Sequence, residues 1–149
     1  MFHRFVALLA FANPIAAAAQ GSPVQDQAPD HPAEIAFVDE GERGFVFRRF
    51  PGGQRLYVYD RDPPGQSVCD SGCASAWPPV SAPASARDVG PYSVVLRKDG
   101  SRQWALRGRP LYTHFHDDPG NPTGDGQDGA WRIVPYISRD IVERYRQEH

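Results

Sequence analysis

The sequence predicts a mainly β domain: a small sandwich or barrel built from two copies of a β-hairpin repeat, with a short C-terminal helix. Three observations carry this expectation. Chain breakers are frequent, with 15 Pro and 14 Gly among 149 residues, and Pro stands at about double its usual roughly 5%. Hydrophobic residues make up 40% of the chain, including eight Phe, six Tyr and three Trp, so a packed core is available despite the breakers. Finally, a run beginning at Leu56 returns at Leu111. The breakers argue against helical bundles and coiled coils. A net charge of −2 without a basic stripe argues against nucleic acid as a partner.

Met1–Arg4 carries a basic residue, and Phe5–Ala19 is apolar and uncharged, interrupted at Asn13 and Pro14 and ending in four alanines. This is the layout of a secretory signal peptide over 1–19, with cleavage expected after Ala19. The apolar run of about fifteen residues is shorter than the roughly 20 that a spanning helix needs, so no membrane span is expected in the mature form. A lipid anchor requires a Cys at the cleavage point, but the two cysteines are Cys69 and Cys73. The expected address is the periplasm or the exterior of a bacterium. Residues 20–33 are polar and aperiodic, as in a flexible leader. A single β-rich domain is expected over 34–149, with repeat 1 at about 38–80 and repeat 2 at about 92–134.

Within the domain, Phe45–Phe47 and Arg55–Asp60 flank the turn residues Pro51-Gly52-Gly53, which reads as a hairpin. Ser93–Arg97 and Arg102–Leu106 flank Asp99-Gly100 in the same way. Strands are then expected at Leu111–His116 and Trp131–Val134. In the tail Ser138 suits a helix cap, Asp140 suits a first turn, and Ile141, Val142 and Tyr145 give a short apolar face.

Leu56-Tyr57-Val58-Tyr59-Asp60-Arg61-Asp62-Pro63-Pro64-Gly65 leads to Ala76-Trp77, and Leu111-Tyr112-Thr113-His114-Phe115-His116-Asp117-Asp118-Pro119-Gly120 leads to Ala130-Trp131. Leu, Tyr, Asp, Pro, Gly, Ala and Trp recur in order, so two copies of one supersecondary unit are the economical explanation. Strand alternation assigns faces. Tyr57, Tyr59 and Arg61 share one face and Leu56 and Val58 the other. Tyr112, His114 and His116 lie opposite Leu111, Thr113 and Phe115.

The first copy fits Tyr-x-aromatic-x-x-Asp through Tyr57, Tyr59 and Asp62. It is followed by Cys69-x-x-x-Cys73, Ala76-Trp77-Pro78-Pro79, Gln103-Trp104, Gly108-Arg109-Pro110-Leu111-Tyr112 and Gly124-Asp125-Gly126 before Trp131. In combination these resemble the bacterial secreted-repeat family, predicted lipoproteins with a Tyr-x-(Phe/Trp/Tyr)-x-x-Asp motif, over roughly Val38–Val134. The resemblance implies an exported protein carrying the repeat in pairs and no established biochemical activity. The chain departs from the pattern twice: it lacks a lipid-bearing Cys, and His114 stands at the aromatic position of the second copy.

Cys69 and Cys73 are expected to form a disulfide in an oxidising compartment, and a Cu(I)-binding or redox dithiol is the functional alternative. His114 and His116, spaced i, i+2 on a strand, are candidates for sharing a metal, copper among them, with Cys69 and Cys73 as further candidate ligands. Otherwise no cofactor is expected. Asp117, Asp118, Asp125 and Asp128 lie in a Gly-rich stretch without EF-hand spacing and are read as turn formers. Asp62 and Asp117 are read as acceptors for backbone amides of the following turn. Trp77 and Trp131 are read as core anchors, one per repeat. The tyrosines are read as packing residues, with a carbohydrate-binding platform as the rival. The catalytic fingerprints of serine hydrolases, zinc proteases, P-loops and dinucleotide folds are absent. The reading is therefore an exported, non-catalytic envelope protein, with a periplasmic copper or redox protein as the alternative and a hydrolase as a third class. Neither ligand nor protein partner is named by the sequence.

Overall fold

The alternation along Leu56–Tyr59 divides the interior in two. Leu56 and Val58 enter one buried cluster, with Ile35, Val80, Tyr92, Trp104, Leu111 and Val134. Tyr57 enters the other, with Trp77, Tyr112, Trp131 and Cys69, and the half-buried Tyr59 packs against it. The same division applies to Leu111 and Tyr112 in the second copy, because successive strand side chains point to opposite faces.

The computed structural model describes residues 31–149; the expected signal peptide and residues 20–30 of the expected leader lie outside the described residues. The elements are β1 (Ile35–Asp39), a 3₁₀ turn (Gly41–Arg43), β2 (Phe45–Arg49), β3 (Tyr57–Tyr59), α1 (Gly72–Ala76), β4 (Tyr92–Leu96), β5 (Arg102–Leu106), β6 (Arg109–Pro110), a second 3₁₀ turn (Gln127–Gly129), β7 (Trp131–Ile133) and α2 (Arg139–Glu148). The protein is mainly β, in antiparallel sheets of two or three strands: β1–β2, β3–β7 and β4–β5–β6. They do not close into a barrel.

Each copy opens with a hairpin. β1 pairs β2 with Phe37 opposite Phe47, and β4 pairs β5 with Val94 opposite Trp104. Each hairpin ends in a matched bond, Phe50 N–H to the Glu34 carbonyl and Arg107 N–H to the Pro91 carbonyl, both at 2.8 Å. The turns that follow differ in length. The first copy uses Phe50–Gly53, with a cis peptide before Pro51, whereas the second turns at Arg107-Gly108 alone. The shorter second turn shifts the spacing between matched residues from 57 at Phe50/Arg107 to 55 at Leu56/Leu111.

The two copies exchange their edges. β3 pairs with β7 of the second copy, Tyr59 opposite Trp131. The matched segment of the second copy lies along the end of the first, with Thr113 N–H bonded to the Pro78 carbonyl at 2.9 Å and Phe115 N–H to Ala76 at 3.0 Å. The bonds recur in pairs: Val134 N–H to Leu56 at 2.8 Å answers Val80 N–H to Leu111 at 2.9 Å. At the centre Tyr57 and Tyr112 bond to each other through both amides, at 2.9 and 3.0 Å. These two residues mark an approximate two-fold axis between the copies.

The sequence reading expects a strand over Leu111–His116, but the segment forms only isolated bridges at Tyr112, to Tyr57 and Pro79, and the chain turns at Phe115-His116. Helix α2 forms as expected, yet it buries none of its residues, and the Ser138 side chain makes no capping bond to the backbone. The Asp140 carboxyl is held below its ordinary range, chiefly by the Ser138 hydroxyl. Arg139 anchors the helix by donating to the Gly41 carbonyl at 3.1 Å and by pairing with Asp39.

Candidate functional site

The motif residues converge on the two-fold axis. Each motif Tyr bonds the Asp of the other copy and not its own. Tyr57 Oη donates to Asp117 Oδ2 at 2.5 Å, and Tyr112 Oη donates to Asp62 Oδ2 at 2.6 Å. The second oxygen of each carboxylate accepts the backbone amide six residues on, Val68 for Asp62 and Thr123 for Asp117, both at 2.8 Å. Each carboxylate thus ties its own loop to the opposite strand.

A column of four rings runs through the same axis. Trp77 and Trp131 stack face to face, with centroids 3.8 Å apart and planes 5° from parallel. Tyr59 caps the column on Trp131 at 4.4 Å, and His114 caps it on Trp77 at 4.4 Å. His114 therefore occupies the aromatic position of the second copy in space as well as in sequence. Tyr57 and Tyr112 meet the tryptophans edge-on, at 5.2 and 5.1 Å, a favoured geometry for quadrupolar rings. Gly124 is required here: a Cβ would lie 2.5 Å from the Trp77 ring, and its amide donates to Tyr57 Oη at 3.2 Å.

The two carboxylates differ in their surroundings. Asp117 also accepts from Thr123 Oγ1 at 2.8 Å and lies 3.2 Å from His114 Nδ1. Burial pushes its carboxyl up, but hydrogen bonds from Tyr57, Thr123 and His114 outweigh that and hold it below its ordinary range. Asp62 has Val68 where Asp117 has Thr123. Burial dominates there and leaves the Asp62 carboxyl above its ordinary range, despite Tyr112 and the Val68 amide. Burial likewise raises both Tyr57 and Tyr112, reinforced by the carboxylate each one faces. Both phenols therefore remain neutral donors at physiological pH.

Cys69 and Cys73 form the expected disulfide, with Cα atoms 5.2 Å apart. Cys69 is buried in the aromatic cluster, and α1 follows it directly. A buried arginine unmarked by sequence reasoning holds this loop. Arg97 donates to the Cys69 carbonyl at 2.6 Å, to Ser67 Oγ at 2.8 Å and to Gln103 Oε1 at 2.7 Å. Ser67 Oγ in turn lies 2.7 Å from Tyr112 Oη. Arg97 sits beside the Asp99-Gly100 turn, where an arginine reads as solvent-exposed, and only the fold brings the Cys69 loop over it.

The remaining candidate residues are dispersed. His114 is buried and His116 exposed, with ring centroids 5.7 Å apart. Among the described residues no three His, Cys, Asp or Glu side chains are grouped to hold a metal ion. Asp125 accepts the Ile133 amide at 2.9 Å. Asp128 lies in the second 3₁₀ turn at φ 53, and Asp118 opens a turn closed by the Asn121 amide at 3.1 Å.

Among the described residues no helix is long and apolar enough to cross a membrane. No curated protein and no solved structure matches the chain. Residues 93–135 match the model of a family described as a secreted repeat of unknown function. That segment contains Tyr112, His114, Asp117 and Trp131, the second copy of the motif. The second copy is thus similar to a secreted repeat of unknown function, the family its motif resembles.

Proposed function

We propose that this exported protein is a non-catalytic binding or structural module of the bacterial envelope. One observation supports the reading most directly: the polar groups of the motif are engaged inside the molecule. Tyr57, Tyr112, Asp62 and Asp117 bond one another and the backbone across the two copies. A motif used in this way specifies a scaffold and leaves recognition to the surface around it. Tyrosines that burial keeps neutral also supply no activated nucleophile of the kind covalent catalysis uses.

The competing reading is a periplasmic copper or redox protein using Cys69, Cys73, His114 and His116. One experiment separates the two. The protein is isolated from the periplasm, titrated for free thiols, loaded with Cu(I) or Cu(II), dialysed and assayed for metal. The scaffold reading expects no free thiol and substoichiometric copper. Stoichiometric copper that is lost in His114→Ala or Cys69→Ser overturns it.

A further inference from the structure

The duplication provides an internal control for what the architecture itself demands. Residues the fold needs recur at matched places, as Tyr57/Tyr112, Asp62/Asp117 and Trp77/Trp131 do. One surface breaks this correspondence. Where the loop after β3 passes the β5–β6 turn, a groove of about 210 Å³ is lined by Asp60, Asp62, Pro64, Arg107, Gly108 and Arg109. The loop and turn are joined there by Gly65 N–H bonded to the Gly108 carbonyl at 2.8 Å. At the matched positions the other copy has Phe115 for Asp60 and Phe50 for Arg107. The Asp60 charge is therefore not needed to build a loop of this kind, and the first copy makes its own, longer turn without a cation at the matched position.

The charges around the groove are unevenly satisfied. Asp60 accepts from Arg109 at 2.8 Å and from Arg132 at 3.0 Å. Asp62 is committed to Tyr112 and the Val68 amide. The Arg107 side chain is exposed and makes no hydrogen bond or ion pair to the described residues. Three guanidiniums thus stand against two carboxylates, and the surplus cation is Arg107. Its backbone is also unusual: Arg107 lies at φ 50 in a two-residue turn, where Asn, Asp or Gly is the ordinary choice and any other L side chain is strained.

We propose that this groove binds a small molecule through an oxyanion, a carboxylate or a phosphoryl group, with Arg107 as the principal contact, Arg109 as the second, and Asp60 holding Arg109 in place. A guanidinium offers a planar pair of donors that matches such groups bidentately. The open Arg107 fork is the part of the groove that a ligand completes. The proposal deepens the binding-module reading by naming a surface and a ligand class, and it uses none of the residues on which the copper reading depends.

The test uses the oxidised full chain in chloride buffer at constant ionic strength. Inorganic phosphate and, separately, acetate are titrated while the amide resonances of Gly108 and Arg109 are followed. The expected result is a saturable shift with one or both anions and an affinity at least tenfold weaker in Arg107→Gly and in Arg107→Asn. Both substitutions suit the turn, so their thermal midpoints should equal or exceed that of the parent. Phosphate-only saturation assigns the ligand as a phosphoryl compound and acetate-only saturation as a carboxylate. Non-saturable shifts with both anions, or unchanged affinity in both variants, overturn the proposal. Such a failure is distinct from failure of the binding-module reading, which is read from copper retention at His114 and Cys69.

Discussion

The two Tyr–Asp crossbars are built from the same residue types at matched positions, yet they are held differently. Asp117 is buried and gathers donors from Tyr57, from the amide and hydroxyl of Thr123, and from the neighbourhood of His114. Asp62 is half-buried and accepts from Tyr112 and the Val68 amide alone. At the Tyr112–Asp62 crossbar the reinforcement arrives from the opposite direction. The disulfide, Ser67 and buried Arg97 brace the tyrosine end of the crossbar. One geometry is thus stabilised twice by different means: through the carboxylate in one half, and through the loop behind the phenol in the other. The lesson is that duplication preserved the crossbar itself, while the support around it diverged.

The largest expected effect tests the shared part. Trp77→Ala and Trp131→Ala each remove a ring from the central stack, and each should cost about 3–5 kcal/mol in urea unfolding. Similar losses at the two sites would confirm that the axis is symmetric in energy as well as in shape, and a difference of several-fold would break the comparison. Next come the crossbars. Tyr57→Phe should cost about 1.5–3 kcal/mol, because it leaves Oδ2 of buried Asp117 without its charge-assisted donor. Tyr112→Phe should cost less, because half-buried Asp62 can recruit water. Equal costs would show that the difference in burial between the two carboxylates does not affect the crossbars.

The third effect is confined to the first copy. Reduction of Cys69–Cys73, or Cys69→Ser with Cys73→Ser, should lower stability by about 2 kcal/mol, the chain-entropy figure for so short a loop. Amide exchange should accelerate around Ser67–Ala76 and leave Gly124–Trp131 unchanged. The smallest effect concerns acid. The Asp117 carboxyl lies below its unfolded range, so its contribution is present above that range and is lost as pH falls through the folded value. The Asp62 carboxyl is raised, so its contribution has the opposite sign: present at low pH and lost as pH rises. Asp117→Asn should therefore flatten the rise of stability with pH across the carboxylate range, and Asp62→Asn should steepen it. Thermal midpoints measured between pH 3 and 6 would check both.

Much of the scaffold was legible in the chain. Period-two alternation placed Leu56 and Leu111 on one side and Tyr57 and Tyr112 on the other, because side-chain direction in a strand follows from position alone. The turn-forming aspartates and the short-range disulfide were legible for the same reason: both are local. What escaped was non-local. Nothing in a repeat states whether it pairs with itself or with its twin, so the exchanged edges and the Tyr57–Asp117 and Tyr112–Asp62 bonds were not foreseen. The available signal was the recurrence of Tyr and Asp together in both copies, which marks them as a pair without saying which copy supplies the partner. Arg97 and Gln103 escaped because their burial is imposed by a distant loop. The strand expected over Leu111–His116 does not form because the chain turns after His114, where the Asp117 amide bonds the His114 carbonyl at 3.1 Å, a local turn that the hydrophobic pattern does not mark.

The exchanged edge has a consequence for the order of events during export. The first copy lacks its β7 partner until Trp131–Ile133 is available. A polypeptide emerging N-terminus first must therefore deliver that segment before either half can close. The edge of β3 stays unpaired through that interval, and its final pairing couples both halves in one step of high contact order. Translocation and folding are thereby kept apart by topology alone, since the knot of aromatic rings cannot be tied until its last strand has arrived.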